Sequence, residues 1–449
     1  MAYNTNIGPF QWEELLPGYG VPIGPYSGVV VIKETDVSVP GTGAVLIELE
    51  GVEPPVSEDL GTTVFPVTYR PEVPLVEHLL FRTKVNRKLS GVEERISRRK
   101  CPRIAFEWKI ADGRQRMENL LFGQAMDYMG AIFWHEPAFV TTALLGGEDH
   151  VHVGATAYSQ FLAGQWAIII STTGYYDLLE VETVAANEIT FTDIVTHDYA
   201  VGSEVLPVCR CVADSIVVSK QLNYAVYDIK VAVEAIDNDL GVIPYTEGEL
   251  EITGVNYVNP LHESFSRPYY RRDAAGGKFS QTVVLSHADK GSMLGFRTHS
   301  RSELWALRQM LYRLGGMYTA FYLATFGEEL TPIADLVIGQ STLTVDNCGY
   351  TDFVQSRRGS LRIHLADTTV LERTVVSSTE ISSAVERLTV DSVWDATIPQ
   401  EDIVRIEYLD LVRLDTDDVV IRHTNALGWA SCEVPVAFVY PQEEELPPE

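Results

Sequence analysis

The chain has 449 residues, enough for two or three domains that each bury a hydrophobic core. Its hydrophobic content of 46% and charged content of 21% are ordinary for a folded protein, and no apolar run is long enough to span a bilayer. The 34 basic and 62 acidic residues give a net charge of −28, which repels nucleic-acid phosphates. We therefore expect neither membrane insertion nor specific nucleic-acid binding.

The N-terminal segment predicts no regular element of its own. Residues 1–26 are rich in proline, glycine and aromatic side chains, a composition typical of an arm that lies on another surface. They lack the basic and apolar regions of a signal peptide. We therefore expect the protein to be made in the cytoplasm and used from there.

Residues 27–234 predict a first β-rich unit. Within it, Val76–Asn86 predicts one long strand, because it is rich in residues that favour a pleated surface. Short strands separated by polar turns follow, and Glu204–Val212 and Ser215–Ser219 are two of them. This spacing predicts a small β-sandwich or barrel inserted at about residues 151–212.

The centre of the first unit is Ala111–Val140, which predicts a helix followed by an aromatic strand. Asp112 and Gln115 stand three residues apart, the spacing of a helix-capping box. Gly130 stands where a helix can end in a left-handed residue that only glycine adopts without strain. The apolar stripe of this helix consists of Met117, Leu121, Ala125 and Tyr128.

The same pattern returns at Thr298–Leu330. Ser300 and Glu303 have the spacing of a capping box, and Gly315 with Gly316 can supply the left-handed end. A strand is predicted directly after these glycines. Steps of three and four place the following residues on one helical stripe: Leu304, Leu307, Leu311 and Leu314.

Two further blocks of sequence recur in the same order. Asn187–Val208 has the succession of turns and strands found in Glu386–Ile406, and Ser215–Val233 matches Asp418–Val436 at a constant offset of 203. Three blocks in one order predict that a single unit is present twice. Identity within the blocks is low, so the alternative is that two unrelated segments share helix caps and strand alternation by chance.

The rest of the chain completes the predicted domain organisation. A linker is predicted at residues 235–261, and a second β-rich unit at residues 262–440 with its own β insertion at about residues 338–414. Residues 441–449 are acidic and proline-rich, which predicts a disordered tail. The predicted fold class is α+β and predominantly β, with two tandem β-sandwich or barrel units that each carry one main helix.

Basic residues are concentrated in one part of this acidic chain, where nine of them fall within 22 positions. Such a run is often a solvated face, but in an acidic protein it is also a candidate surface for docking an acidic partner. We therefore predict an assembly interface at five arginines of this run: Arg87, Arg95, Arg98, Arg99 and Arg103.

The residues that could carry chemistry do not form a recognisable site in the sequence. The strongest metal candidate is Glu148–His152, where alternating His150 and His152 could share one ion, but no third ligand has matching spacing. A loop with solvated histidines is therefore the preferred interpretation. The five cysteines are scattered, which predicts reduced and mostly buried thiols: Cys101, Cys209, Cys211, Cys348 and Cys432.

No motif of a hydrolase, nucleotide-binding or dinucleotide-binding protein is present. We therefore predict a protein that is not an enzyme, with no catalytic residue, no cofactor and no metal. A hydrolase that uses Glu148 or His150 is the least favoured alternative.

One stretch resembles minor tail proteins of tailed bacteriophages. In Thr83–Trp108, a strand is followed by a glycine-glutamate-arginine stretch, Gly91–Arg95, and then by Pro102 and Arg103 before an aromatic strand. A second block of the family, a loop with aspartate before strands, a leucine-rich helix and a glycine turn, is similar to Arg272–Phe326.

The resemblance implies a distal tail or baseplate-hub protein with a tube-like fold, a β-barrel or sandwich flanked by one helix. Its expected partners are copies of itself, the tail tube protein, and baseplate-hub, tail-tip or fibre proteins. Its expected location is the tail of the virion, assembled in the host cytoplasm. Two units in one chain suggest a trimer with pseudo-sixfold symmetry, although a hexamer is the alternative. A second alternative function is a receptor-binding or carbohydrate-binding module of the tail tip.

Overall fold

The computed structural model describes the chain in separate stretches between residues 64 and 439. The predicted N-terminal arm at 1–26, the first predicted helix and the tail at 441–449 lie outside the described residues, as does most of the predicted linker. The described residues are 64–65, 72–87, 93–112, 129–220, 225–234, 240, 242, 263–266, 269–273, 279–283, 289–353 and 358–439.

Residues 64–234, called here the first half, contribute thirteen of the described strands. Buried and half-buried residues alternate along the last of them, which packs one of its faces on the core. The strands are β1 (Val64–Phe65), β2 (Glu72–Leu80), β3 (Thr83–Arg87), β4 (Glu93–Ser97), β5 (Arg103–Asp112), β6 (Met129–Ile132), β7 (Ala138–Phe139), β8 (His150–His152), β9 (Trp166–Ile170), β10 (Tyr176–Ala185), β11 (Glu188–Phe191), β12 (Glu204–Lys220) and β13 (Ala225–Val233).

Residues 263–439, called here the second half, contribute the other twelve strands and two α-helices. Strands dominate both halves, which confirms the predicted α+β, predominantly β fold class. Neither described helix is long and apolar enough to cross a membrane. The elements are β14 (Glu263–Ser266), β15 (Tyr269–Asp273), β16 (Phe279–Val283), β17 (Asp289–His299), α1 (Arg301–Leu314), β18 (Ala320–Ala324), β19 (Thr342–Asp346), α2 (Tyr350–Phe353), β20 (Ser360–Leu365), β21 (Val370–Ser382), β22 (Val385–Val390), a 3₁₀ turn (Gln400–Asp402), β23 (Ile403–Leu414), β24 (Asp418–His423) and β25 (Trp429–Phe438).

Helix α1 begins and ends where the sequence predicts. The side chain of Ser300 accepts a hydrogen bond from the backbone N–H of Glu303, and the Glu303 carboxylate accepts one from the backbone N–H of His299. These bonds satisfy donors left free at the start of the helix. Gly315 ends the helix with φ of 65°. The buried face carries the predicted leucines and one unpredicted arginine, Arg308.

The two halves pair their strands in the same order. In the first half, β5 pairs with β13, β13 with β12, and β12 with β6, all antiparallel. In the second half, β17 pairs with β25, β25 with both β24 and β23, and β23 with β18, again antiparallel. β2 pairs with β5 in the first half, and β14 pairs with β17 in the second half. β2 is followed by the two-stranded hairpin β3–β4, and β14 is followed by the two-stranded hairpin β15–β16. The duplication itself stays a prediction.

Three large hydrophobic clusters hold the described residues together. The main cluster draws side chains from both halves, among them Phe106, Tyr227, Leu311 and Val434. Two smaller clusters belong to one half each. They fall in the regions of the predicted insertions, with members between residues 138 and 205 and between residues 330 and 408.

Two predicted strand boundaries were wrong. The predicted strand Val76–Asn86 is divided into β2 and β3, because Asp417 holds a corner between them. Its backbone C=O accepts the N–H of Phe81 over 2.7 Å, and its carboxylate accepts the N–H of Thr83 over 2.5 Å. Conversely, the two strands predicted around residues 204–219 form one strand, β12, with a bulge between Ala213 and Ser215.

Candidate functional site

The candidate site is the junction at which the first half meets the second half. β2 lies between the two, pairing antiparallel with β5 of its own half and with β24 of the second half. The pairing with β24 runs from Leu75 opposite His423 to Leu80 opposite Asp418. Leu79 on β2 and its partner Val419 on β24 are both fully buried. The two halves therefore share one continuous sheet and one apolar core across this junction.

The hairpin β3–β4 adds charged contacts to the same junction. Arg87 makes two hydrogen bonds to the carboxylate of Asp289, at 2.8 and 2.5 Å. Arg413 of the second half binds both carboxylate oxygens of Glu93, at 2.7 and 3.1 Å. Arg95 donates to the backbone oxygen of Tyr318 over 2.9 Å. Paired donors of this kind fix the orientation of the hairpin against the second half.

A buried cluster of five ionisable side chains lies at this junction. Each member comes from a different element except His135 and Glu136, which are neighbours in the segment between β6 and β7. None exposes more than 3% of its surface. The members, called here the junction cluster, are Glu77 on β2, His135, Glu136, Arg308 on α1 and His423 on β24.

Arg308 is the centre of the junction cluster. Its Nη2 atom donates to Oε2 of Glu77 over 2.6 Å and contacts Nε2 of His135 over 2.7 Å. Its Nη1 atom donates to Oε1 of Glu136. His423 contacts Glu77 through Nε2, 2.7 Å from Oε2. One guanidinium from the second half thus holds two carboxylates of the first half.

The backbone completes the hydrogen bonding of one carboxylate. Oε2 of Glu136 accepts the backbone N–H of Gln160 over 2.7 Å, and the Gln160 side chain approaches Oε1 at 3.4 Å.

A second arginine of helix α1 also contacts the segment after β6. Arg301, at the start of α1, donates to the backbone oxygens of Pro137 and Ala426. Helix α1 is therefore attached to the segment after β6 at two points, Arg301 and Arg308.

Burial and neighbouring charge have opposite effects on the pKa values of the two carboxyl groups, Glu77 and Glu136. Burial alone would raise the pKa of Glu77, but the charge of Arg308 and the hydrogen bond from His423 hold that pKa well below its ordinary value. The same balance of burial against Arg308 lowers the pKa of Glu136 to about 2. Both carboxyl groups are therefore ionised at neutral pH.

Burial favours the neutral form of His423. Burial lowers the pKa of His423 to about 4, because no solvent stabilises its charged form. The ionised Glu77 can only accept, so Nε2 of His423 carries the hydrogen. A guanidinium can only donate, so Nε2 of His135 accepts from Arg308.

Three members of the cluster have the geometry of metal ligands. One ligand atom each from Glu77, His135 and His423 lies within 4.8 Å of the others, and two histidines with one carboxylate are a known set for transition metals. Arg308 nevertheless contacts both Glu77 and His135, so its guanidinium is the cation at this position. A metal ion could bind only if Arg308 moved away. The cluster as described is an ion-pair network that joins the halves.

The predicted assembly arginines divide into two groups. Arg87 and Arg95 contact the second half of the same chain, and Arg99 donates to the backbone oxygen of Leu80 over 2.8 Å. Arg98 and Arg103 are exposed. The run therefore helps to build the junction inside the chain, and its use as an assembly interface stays a prediction.

The histidine loop and the cysteines lie away from the junction cluster or in the apolar core. His150 contacts Asp149 at 2.9 Å and His152 contacts Glu188 at 3.2 Å, with all four side chains at least two-fifths exposed. Among the described residues, no third ligand converges on this pair of histidines. None of the five cysteines forms a disulfide in the structure, and three of them are buried. Cys348 is the exposed one, whereas burial raises the pKa of the Cys211 and Cys432 thiols to about 12.

No member of the junction cluster was predicted from the sequence. One signal was present, because Arg308 follows Leu304 by four residues and therefore lies on the leucine stripe of α1. A charged residue on a buried stripe requires a buried partner. Nothing in the sequence indicated which of the 62 acidic residues would supply it.

No protein-family model matches this chain, and no curated protein matches its sequence. The role of the junction must therefore be inferred from its own residues and from the resemblance described above.

Proposed function

We propose that the protein is a structural component of a bacteriophage tail. In this role it forms a ring at the distal end of the tail tube and joins the tube to the baseplate or tail tip. The proposal builds on the sequence resemblance to minor tail proteins and on the strand-pairing order that the two halves have in common. The ring contains either three or six copies of the chain.

The observation that carries this proposal is the junction between the halves. The two halves, whose strands pair in the same order, are joined by β2. This strand pairs with β5 of the first half on one side and with β24 of the second half on the other. A ring of like units needs one such contact repeated around its circumference. The chain already contains one copy of that contact, strengthened by the buried ion pairs of Arg308.

The junction cluster supports a structural role better than a catalytic one. All of its members are almost completely buried, Arg308 binds both carboxylates, and His423 also binds Glu77. An enzyme needs its acid, base or nucleophile within reach of a substrate. We therefore propose that the protein is not an enzyme.

A receptor-binding or carbohydrate-binding role is the second candidate. Each half carries a β region with its own hydrophobic cluster, which is what an outward-facing module requires. In the first of these regions, Tyr158, Tyr175 and Tyr176 are between 39% and 48% exposed, and aromatic rings are common platforms for sugars. The two functions are compatible, because a ring can carry binding modules on its outer surface.

The oligomeric state of the full-length protein and its binding to tail tubes test the proposal. We expect electron micrographs of the purified protein to show closed rings, and native mass spectrometry to give three or six chains. We also expect the rings to cap isolated tail tubes at one end. A protein that stays monomeric at every concentration and ignores tail tubes would contradict the proposed function. Glycan-array binding without rings would favour the second candidate.

A further inference from the structure

Part of the basic run forms an exposed face on the outer side of the hairpin β3–β4. Lys84 on β3 and Ile96 on β4 are directly opposite each other, so their side chains share that side of the hairpin. Arg82 and Arg98 flank this pair, and the backbone N–H of Arg98 donates to the backbone oxygen of Arg82 over 2.8 Å. All four residues are exposed, Ile96 by 44%. They are called here the outer face.

The basic groups of the outer face lack acidic partners. In the described part of the chain, Arg82, Lys84 and Arg98 form no ion pair. Glu94, the acidic residue on the same side of the hairpin, approaches the Asn86 side chain at 3.5 Å. The chain has a net charge of −28, with 62 acidic residues against 34 basic ones. Against this background, the outer face is a local site of positive charge that attracts an acidic ligand.

Further positive charge lies beside the outer face. Burial lowers the pKa of Arg99, and the charges of Arg103 and Arg82 lower it further. The Asp417 carboxylate offsets part of this effect. The three guanidinium groups therefore lie close enough to repel one another, and Arg103 is exposed like Arg82. An acidic ligand at this place relieves the repulsion.

The inner side of the hairpin holds the outer face in position. Arg87, Glu93 and Arg95 bind the second half, as described above. Because alternate residues of a strand point to opposite sides, these contacts direct Lys84 and Ile96 outwards. A face that is already fixed loses less conformational entropy on binding than a flexible loop does.

The last described strand, β25, brings the chain back to this hairpin. Ala437 on β25 pairs with Arg413 on β23, and Arg413 binds both carboxylate oxygens of Glu93 on β4. The last described residue, Val439, donates its backbone N–H to Leu411 on β23 over 2.9 Å. The next residues of the sequence therefore start close to the end of the hairpin that carries Glu93.

These next residues have the chemistry that the outer face requires. Residues 443–445 are three consecutive glutamates, and Leu446 follows them directly. The outer face presents three basic side chains around the apolar Ile96. The two sets are complementary in charge, and each includes one aliphatic side chain.

The segment is long enough to reach the outer face. Ile96 lies about 10 Å along β4 from Glu93 at the usual rise per residue. The glutamates follow Val439 by about 13–20 Å of extended chain. Because the segment is tethered to β25, its effective concentration at the outer face is about millimolar. A free acidic protein therefore competes at a disadvantage for the same face.

We propose that residues 443–446 dock on the outer face of their own chain. The glutamates lie against Arg82, Lys84 and Arg98, and Leu446 lies against Ile96. The docked segment covers Arg98, one of the predicted assembly arginines, so an acidic assembly partner must displace it. The inference goes beyond the proposed function, because it applies to the chain in any oligomeric state.

Carbodiimide coupling tests the docking in the full chain. The reagent joins a lysine amine to a carboxylate in contact with it, and peptide mass spectrometry identifies the linked pair. We expect Lys84 to be linked to a glutamate at 443–445 in molecules that still run as single chains on a denaturing gel. Lys109, whose Nζ lies 3.1 Å from Oδ1 of Asp228, is the internal control. This second pair joins β5 to β13, so its link reports both the reagent and the fold.

The double variant Arg82→Gln and Arg98→Gln tests the charge of the outer face. It keeps Lys84 but removes two positive charges, so the yield of the Lys84 link should fall about threefold or more. The matched control is Arg387→Gln with Arg422→Gln, which removes two exposed arginines outside the face and should leave the yield unchanged. High salt should lower the yield in the natural chain, because it screens exposed charges.

The results decide which segment occupies the outer face. A Lys84 link in single chains that weakens in the double variant but not in its control supports the docking. A link found only in bands of two chains would assign the face to the segment of a second copy and overturn docking within the chain. Absence of the link while Lys109 still couples to Asp228 would overturn the inference, as would an equal loss in the control variant. None of these results depends on ring formation, so the proposed function is tested separately.

Discussion

His423 donates a hydrogen bond from Nε2 to Oε2 of Glu77 over 2.7 Å, and the two residues stand 346 positions apart in the chain. The bond joins β24 of the second half to β2 of the first half. Because Glu77 also binds Arg308, this one carboxylate receives contacts from two elements of the second half. The stability of the junction must therefore depend on the protonation of these groups.

We predict that acidification weakens the fold between pH 6.5 and pH 4 through His423. The pKa of His423 is lowered by burial from its ordinary 6.5 to about 4, so in this window the unfolded chain binds a proton that the folded chain does not. The free energy of unfolding therefore falls as the pH falls, by up to about 3 kcal/mol at 1.36 kcal/mol per pKa unit. Urea unfolding at several pH values measures this slope.

His423→Gln is the control for this pH dependence. A glutamine keeps an N–H donor for Glu77 but does not titrate. We expect the variant to be less stable at neutral pH and to lose less stability than the natural chain between pH 6.5 and pH 4. Below pH 4.5 both proteins should weaken further, because Glu136 has a pKa lowered to about 2 and must be protonated on unfolding. Equal slopes in the upper window would assign the pH dependence to other groups.

A second prediction concerns Arg308. Arg308→Met leaves Glu77 and Glu136 buried without their cation, and breaking a buried ion pair from one side costs about 3–5 kcal/mol. Chemical denaturation of the full chain should show this loss. Arg98→Met serves as the control, because Arg98 is exposed and should change stability by less than about 0.5 kcal/mol.

Removing the carboxylate charges as well should restore part of the stability lost in Arg308→Met. The triple variant Glu77→Gln, Glu136→Gln and Arg308→Met has no buried charge in the cluster, so we expect it to be more stable than Arg308→Met. A triple variant less stable than Arg308→Met would show that hydrogen-bond geometry, and not charge, dominates the cluster.

The sequence predicted those features that depend on residues close to one another in the chain. The ends of α1 follow from Ser300, Glu303 and Gly315, whose roles depend on neighbours a few residues away. Alternation of apolar residues likewise predicted the β-rich fold class. The junction cluster depends on pairs such as Glu77 with His423, which only the folded topology brings together. The break between β2 and β3 depends on Asp417 in the same way, so no local signal could reveal it.

A third prediction concerns metal ions. Although Glu77, His135 and His423 are arranged like a ligand set, the Arg308 guanidinium already contacts Glu77 and His135. We therefore expect neither zinc nor a chelator to shift the thermal midpoint of the natural chain. Arg308→Met removes the competing cation, so zinc should stabilise that variant by mass action. Stabilisation of the natural chain by zinc, abolished in His423→Gln, would instead identify the cluster as a metal site.

A fourth prediction measures the contribution of the basic run to the internal junction. Arg87 and Asp289 form a two-bond ion pair across the halves, with each side chain about one-third exposed. A double-mutant cycle with Arg87→Ala and Asp289→Ala should give a coupling of about 0.2–1 kcal/mol, because solvent screens the pair. The cycle is measured by urea unfolding in low salt and in high salt, where the coupling should shrink. A coupling of zero in both would mean that the Arg87–Asp289 ion pair does not stabilise the junction.

The last prediction concerns Gly316, which lets the hairpin corner approach α1. Gly316 has φ of 68°, and a methyl group on it would meet Phe81 and Asp417, the residues that form the corner. Gly316→Ala should therefore cost about 1–2 kcal/mol for the left-handed backbone and a further 1–3 kcal/mol for the overlap. Gly339→Ala is the matched control, because Gly339 has φ of 77° with open space around it and should show the backbone cost alone. Equal losses in the two variants would mean that the corner can shift away from Gly316 without cost to the junction.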